Sequence, residues 1–242
     1  MAIVDWQRYR AVLFDLDGVL TATAKVHSAA WRRAFDSFLE QHEEGLEPFD
    51  IDSDYRRYVD GKPRFDGVSS FLDSRGIDLP WGEPSDPAGY ETVCAVGNLK
   101  NDLFESVLED EGADVYPGSL ALLDHLAELE MPIAVVSASA NCEAVLRSVG
   151  ILDRFHARVD GIVAAEVGLR GKPKPDPFLE AARRLDTPPA GCVVVEDAIS
   201  GVEAGRAGGF GLVVGVDRHG DPDALHAAGA DIVVSDLGEL VP

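Results

Sequence analysis

Two carboxylates stand two residues apart in Phe14-Asp15-Leu16-Asp17-Gly18-Val19-Leu20-Thr21, directly after the apolar run Ala11–Phe14. On an extended chain, residues so spaced project to one side, so Asp15 and Asp17 would crowd two negative charges at a strand end. Like charges that close are costly unless a cation neutralises them, and a hard, oxygen-loving ion such as Mg²⁺ suits the pair. Gly18 would let the chain turn sharply away. Taken alone, however, Asp15–Gly18 reads first as an ordinary surface turn.

Three further segments offer complementary chemistry. Ser137-Ala138-Ser139 follows the apolar run Ile133–Val136. A hydroxyl there, with free N–H groups after it, can hold phosphate oxygens, although Ser is equally a common helix N-cap. Gly171-Lys172-Pro173-Lys174-Pro175-Asp176 fixes Lys172 between glycine and proline just before a helical pattern. So placed, its ammonium could neutralise a transferring phosphoryl group and a nucleophilic carboxylate together; in isolation it is a solvated loop lysine. Val195-Glu196-Asp197-Ala198-Ile199-Ser200-Gly201 ends another apolar run with two adjacent acids. Facing the first pair, they would complete an oxygen-rich Mg²⁺ site; alternatively, Asp197 is a helix cap.

The elements that must position these residues are legible from hydropathy. Ala11–Phe14, Ile133–Val136, Val193–Val195, Leu212–Val214 and Ile232–Val234 are short apolar, β-branched runs of the kind that form buried parallel strands. Between them, Leu122, Leu123, Leu126 and Leu129 space as one helix face, and Phe178, Ala181, Ala182 and Leu185 as another. Alternation of this kind predicts an α/β fold: a doubly wound, Rossmann-like parallel sheet with ligands at the strand C-termini. The spacing is uneven, because the second strand begins near Ile133. Trp31, Ala34, Phe35, Phe38 and Leu39 form an apolar stripe, and Leu103, Phe104, Val107 and Leu108 another, with the Pro- and Gly-rich Pro80–Gly89 as a surface loop between them. We therefore expect a helical cap domain at 26–105 inserted after the first strand of a core formed by 1–25 and 106–242.

With 242 residues, 46% of them hydrophobic, the chain can bury a sizeable core. Its formal charge of −22 argues against nucleic-acid and anionic-membrane partners. The same charge would repel a phosphorylated substrate at long range, so any phosphate site must be built locally. No apolar run approaches the roughly 20 residues that span a bilayer. Cys94, Cys142 and Cys192 form neither a CxxC pair nor an even framework, which suits a reducing compartment. The expectation is a soluble, cytoplasmic protein.

In this order, the four motifs resemble the haloacid dehalogenase superfamily over nearly the whole chain. The resemblance implies that Asp15 is a nucleophile that becomes an aspartyl-phosphate and that Asp17 is the general acid/base. It gives Ser137 the transferring phosphate and Lys172 the charge balance. Mg²⁺, the implied cofactor, would be held by Asp15, the main-chain carbonyl of Asp17, and Asp197 with Glu196 nearby.

Within the superfamily, the chain is most similar to the β-phosphoglucomutase branch. His27 follows Asp17 by ten residues, Gly61-Lys62-Pro63-Arg64 matches a cap loop whose arginine meets the substrate's distal phosphate, and Lys100 matches a cap lysine. Ser139 and Asn141 match contacts to the second phosphoryl site. Two departures stand out: Ala22 replaces the usual aspartate, and Ala140 replaces a lysine between Ser139 and Asn141. The resemblance implies a monomer acting on a small sugar phosphate, as a mutase that keeps water out, with a sugar-phosphate phosphatase as the alternative. A non-catalytic relative would have no need of Asp15, Asp17, Lys172 and Asp197 together.

Overall fold

The computed structural model describes residues 4–42, 46–59, 62–218 and 220–242. The chain divides into two compact units: residues through Thr23 together with Ala113–Pro242, and Ala24–Gly112.

The first unit is built on one six-stranded parallel sheet: β1 (Ala11–Phe14), β2 (Ile133–Val136), β3 (Ala157–Val159), β4 (Cys192–Glu196), β5 (Leu212–Val216) and β6 (Ile232–Val234). The order across the sheet is β3-β2-β1-β4-β5-β6, with every neighbouring pair parallel. The chain winds outward from β1 to β3, then returns to the other side of β1 and winds outward again to β6. The reversal lies between β1 and β4, where an open α/β sheet leaves a crevice at its strand C-termini.

Strands buried on both faces account for the continuous apolar runs: each residue of β1, β2 and β4 is buried. Ala11 and Leu13 of β1 and Val194 of β4 share one face with Phe178, Ala181 and Ala182 of the helix Asp176–Arg184. Val12 and Phe14 are equally buried on the opposite face. Strand β3 was absent from the expected set, because Arg158 interrupts its three residues and it lies at the sheet edge. Leu129, expected on the buried face of its helix, instead follows the last turn of Pro117–Glu128 and is 41% exposed.

The second unit is helical: α1 (Ala24–His42), α2 (Arg64–Ser74) and α3 (Val93–Glu111). Trp31, Phe35 and Phe38 of α1 pack with Phe71 and Leu72 of α2 and Val96 of α3 in one apolar cluster. Phe35 and Phe71 lie with ring centroids 4.0 Å apart. Each such side chain contributes about 1.5–3 kcal/mol when fully buried. Because α3 runs unbroken from Val93 to Glu111, the unit ends at Gly112, beyond the expected boundary at 105. Its near end is Ala24 in place of residue 26.

Candidate active site

The sheet register brings three strand ends to one level. Phe14 pairs with Val135 of β2 and with Val195 of β4, so Asp15, Val136 and Glu196 occupy the next position on adjacent strands. The Asp15 N–H donates to the Val195 carbonyl at 2.9 Å, which extends the ladder by one bond and fixes where the Asp15 side chain begins.

Lys172 reaches this level from the loop ahead of the helix Asp176–Arg184. Its Nζ donates to Asp15 Oδ1, lies 2.5 Å from Glu196 Oε1, and donates to the Val136 carbonyl at 3.4 Å. The lysine side chain is only 12% exposed and Glu196 only 1%. Charges so removed from water persist only when paired. One carboxylate oxygen from each of Asp15, Glu196 and Asp197 lies within 4.8 Å of the others.

Three acids around one ammonium leave an excess of negative charge. The Asp15 carboxyl is raised to about 8: burial pushes it up most, Lys172 pulls it down, and Glu196 and Asp17 push it up. Asp197 is likewise raised, first by burial and then by Glu196 and Asp15. Burial alone would lower Lys172, but Asp15 and Glu196 outweigh it and hold the ammonium firmly protonated. A buried, all-oxygen donor set short of positive charge fits a hard divalent cation such as Mg²⁺.

Two glycines make room for this cluster. A Cβ on Gly18, whose φ is +82°, would overlap Asp197 Oδ2, and a Cβ on Gly201 would overlap the Glu196 carboxylate. Beyond Gly18 the chain folds back on itself. The Gly18 N–H donates to the Thr21 carbonyl at 2.8 Å, and the Leu20 and Thr21 N–H groups donate to the Leu16 carbonyl. The fully buried Thr23 donates its hydroxyl to Asp17 Oδ1. Thr23 was missed in the sequence; only a hydroxyl shortly after the acid pair could have pointed to it.

At the end of β2, Ser137 is buried, and its N–H donates to Val159 of β3 at 3.0 Å. The Ser139 N–H donates to Ser137 Oγ and the Asn141 N–H to Ser139 Oγ, both at 3.1 Å. These turns hold the loop that leads into the helix Cys142–Ser148. Gly161 packs its backbone against Ala138–Ala140, and its N–H donates to the Ser139 carbonyl at 3.1 Å. All three cysteines are free and buried. Burial pushes the Cys142 and Cys192 thiols up, Cys192 to about 11, so neither is an activated nucleophile.

The remaining expected residues belong to the helical unit. Lys100 is buried, its Nζ 2.9 Å from His27 Nδ1 and over the rings of Trp31 and Phe104. Arg64 opens α2 with its guanidinium 4.8 Å from the Phe65 ring centroid. Burial holds that guanidinium below its usual pKa, against Cys94 and Asp102. Gly61 of the expected arginine loop lies outside the described residues.

Comparison with known proteins agrees with this architecture. A family model described as haloacid dehalogenase-like hydrolase matches residues 9–209. A β-phosphoglucomutase of Mycobacterium bovis is 49% identical over 97% of this chain and 92% of its own length. A fructose-1-phosphate phosphatase of Escherichia coli is 31% identical over 86% of this chain and 97% of its own. The crystal structure of β-phosphoglucomutase from Clostridium difficile superposes with a TM-score of 0.73 at 27% identity, covering 96% of this chain and 93% of that one.

Proposed function

The chain belongs to the haloacid dehalogenase-like hydrolases, and from that premise we propose that it is a Mg²⁺-dependent β-phosphoglucomutase. It would convert β-glucose 1-phosphate to glucose 6-phosphate through β-glucose 1,6-bisphosphate. The observation that carries this reading is the Lys172 ammonium shared by Asp15 and Glu196 at the level of the sheet's reversal. Asp15, Lys172, Glu196 and Asp197 lie together there, which supports reading them as nucleophile, charge balance and cation-binding acids.

An Asp15 oxygen attacks phosphorus, and the new O–P bond forms as the bond from phosphorus to the sugar oxygen breaks. Asp17 gives its proton to that leaving oxygen. In the reverse sense, Asp17 takes the proton of an acceptor hydroxyl, which attacks the aspartyl-phosphate and frees Asp15. Transfer to O6 of β-glucose 1-phosphate yields the bisphosphate; return of its C1 phosphoryl group to Asp15 leaves glucose 6-phosphate. Ser137 holds the phosphoryl oxygens, and Lys172 offsets their charge. Asp15, the Asp17 main-chain carbonyl, and Asp197 with Glu196 would hold Mg²⁺, which supplies positive charge against the phosphoryl oxygens. Arg64, Lys100, His27, Ser139 and Asn141 are read as substrate contacts, with Arg64 toward the distal phosphate. The substrate is a small sugar phosphate and the protein a cytoplasmic monomer; its net charge of −22 suits neither nucleic acid nor an anionic membrane.

Acid quenching during turnover, followed by peptide mapping, tests the chemistry. One phosphoryl group on the peptide carrying Asp15, missing in Asp15→Asn, is expected; phosphorylation elsewhere would overturn the reading. Ala140 favours a second reading, a phosphatase, because the ammonium that resemblance places between Ser139 and Asn141 is missing.

A further inference from the structure

We propose that Arg218 is a positioning residue that fixes the turn carrying Asp17, a role that rests on the reading of Asp17 given above. Arg218 follows β5 and is distant in sequence from every motif at the strand ends. Its Nε donates to the Gly18 carbonyl at 2.6 Å and its Nη1 to the Ser235 carbonyl at 3.1 Å. Its guanidinium lies 3.6 Å from the Tyr116 ring centroid. The segments after β6 and before the helix Pro117–Glu128 thus meet at the Arg218 guanidinium, which in turn holds one carbonyl of the Asp17 turn.

Gly18 is the pivot of that turn. Its φ of +82° belongs to the region where only glycine is unstrained, so the local chain does little to hold it there. Both of its backbone polar groups are tied down from outside the residue: the N–H by Thr21 and the carbonyl by Arg218. With both flanking peptide planes held, the Asp17 carbonyl and the start of the Asp17 side chain have one orientation. Lysine could supply the charge of Arg218 but not two diverging N–H donors on a plane stacked against a ring. The fork is therefore the functional feature, and the charge is not.

The test is Arg218→Lys and Arg218→Met, each checked for folding by circular dichroism. Mg²⁺ binding is measured by calorimetry without substrate, and kcat and KM with β-glucose 1-phosphate and a trace of the bisphosphate. Groups that orient metal ligands typically change affinity or activity by about 10–100-fold. Both variants should bind Mg²⁺ about 10-fold or more weakly and lose kcat by a similar factor, with KM within about threefold of the parent. Should Arg218→Met not fold, Arg218→Lys, which keeps the charge, decides the question alone. A folded variant with parental Mg²⁺ affinity and kcat would overturn the proposal, as would a loss of thermal stability with both unchanged. Asp17→Asn, run in parallel, separates the two claims: if it retains full turnover, the acid/base reading fails, whereas the effect of Arg218 on Mg²⁺ binding is still read directly.

Discussion

Lys172 Nζ lies 2.5 Å from Glu196 Oε1 while also donating to Asp15, so a single ammonium serves two buried carboxylates on neighbouring strands. Removing one partner of a buried charged set typically costs about 3–5 kcal/mol, because the others are left uncompensated. Lys172→Met should therefore lower the Tm of the metal-free protein by roughly 6–20 °C for a chain of this size and abolish turnover. Thermal denaturation followed by circular dichroism checks this, and an unchanged Tm would show that the ammonium is not needed to keep the carboxylates in place.

The acid excess around that ammonium predicts a stability response to metal. A cation that binds only the folded chain adds about 2.7 kcal/mol at one hundred times its Kd. Mg²⁺ should raise the Tm and excess chelator should reverse the rise. Asp197→Asn removes one of the three clustered carboxylates, so it should leave the metal-free Tm unchanged or higher and shrink the Mg²⁺ response. Scanning fluorimetry across a Mg²⁺ series is sufficient, and an undiminished response in Asp197→Asn would place the ion elsewhere.

The contacts that position Asp15 were partly legible in the sequence. Apolar runs ending in acids announced β1 and β4, and the order of the motifs placed Asp15 and Glu196 at strand ends and Lys172 in a loop before a helix, although 157 residues separate Asp15 from Lys172. Strand β3 was not legible, since an edge strand of three residues with arginine at its centre carries no apolar run. Nor were Arg218 and Tyr116. They act through a backbone carbonyl and a stacked ring, and no residue type near Gly18 betrays either. Leu129 kept helical spacing, but the helix ended one residue before it.

The two glycines beside the carboxylates should tolerate no side chain. Gly18→Ala adds strain of about 1–3 kcal/mol at a positive φ and drives a methyl group into Asp197. Gly201→Ala keeps an ordinary backbone and displaces only Glu196. Displacement of a catalytic group by about 1 Å can cost 10²-fold. Both variants should lose kcat by about that factor, with the larger Tm loss in Gly18→Ala. Equal Tm values would contradict the distinction.

In the helical unit, Arg64 is read as the contact to the substrate's distal phosphate. A contact equally strong in ground and transition states appears in KM with little change in kcat. Arg64→Ala should raise KM for β-glucose 1-phosphate by about 10-fold or more, in line with the 1.5–3 kcal/mol of a hydrogen bond to a charged group, with kcat changed much less. Ala140→Lys should lower KM for the bisphosphate. Steady-state kinetics with both ligands check the pair, and a loss confined to kcat in Arg64→Ala would remove it from substrate binding.

The most direct test of phosphoryl return to the sugar follows both products at once. Parent and Asp15→Asn proteins are incubated with Mg²⁺, β-glucose 1-phosphate and a trace of β-glucose 1,6-bisphosphate, and glucose 6-phosphate and free phosphate are measured side by side. The expected result is rapid glucose 6-phosphate formation with little free phosphate in the parent, and neither product with Asp15→Asn. Free phosphate without isomerisation would contradict the mutase and leave a phosphatase; full activity in Asp15→Asn would contradict the aspartyl-phosphate itself.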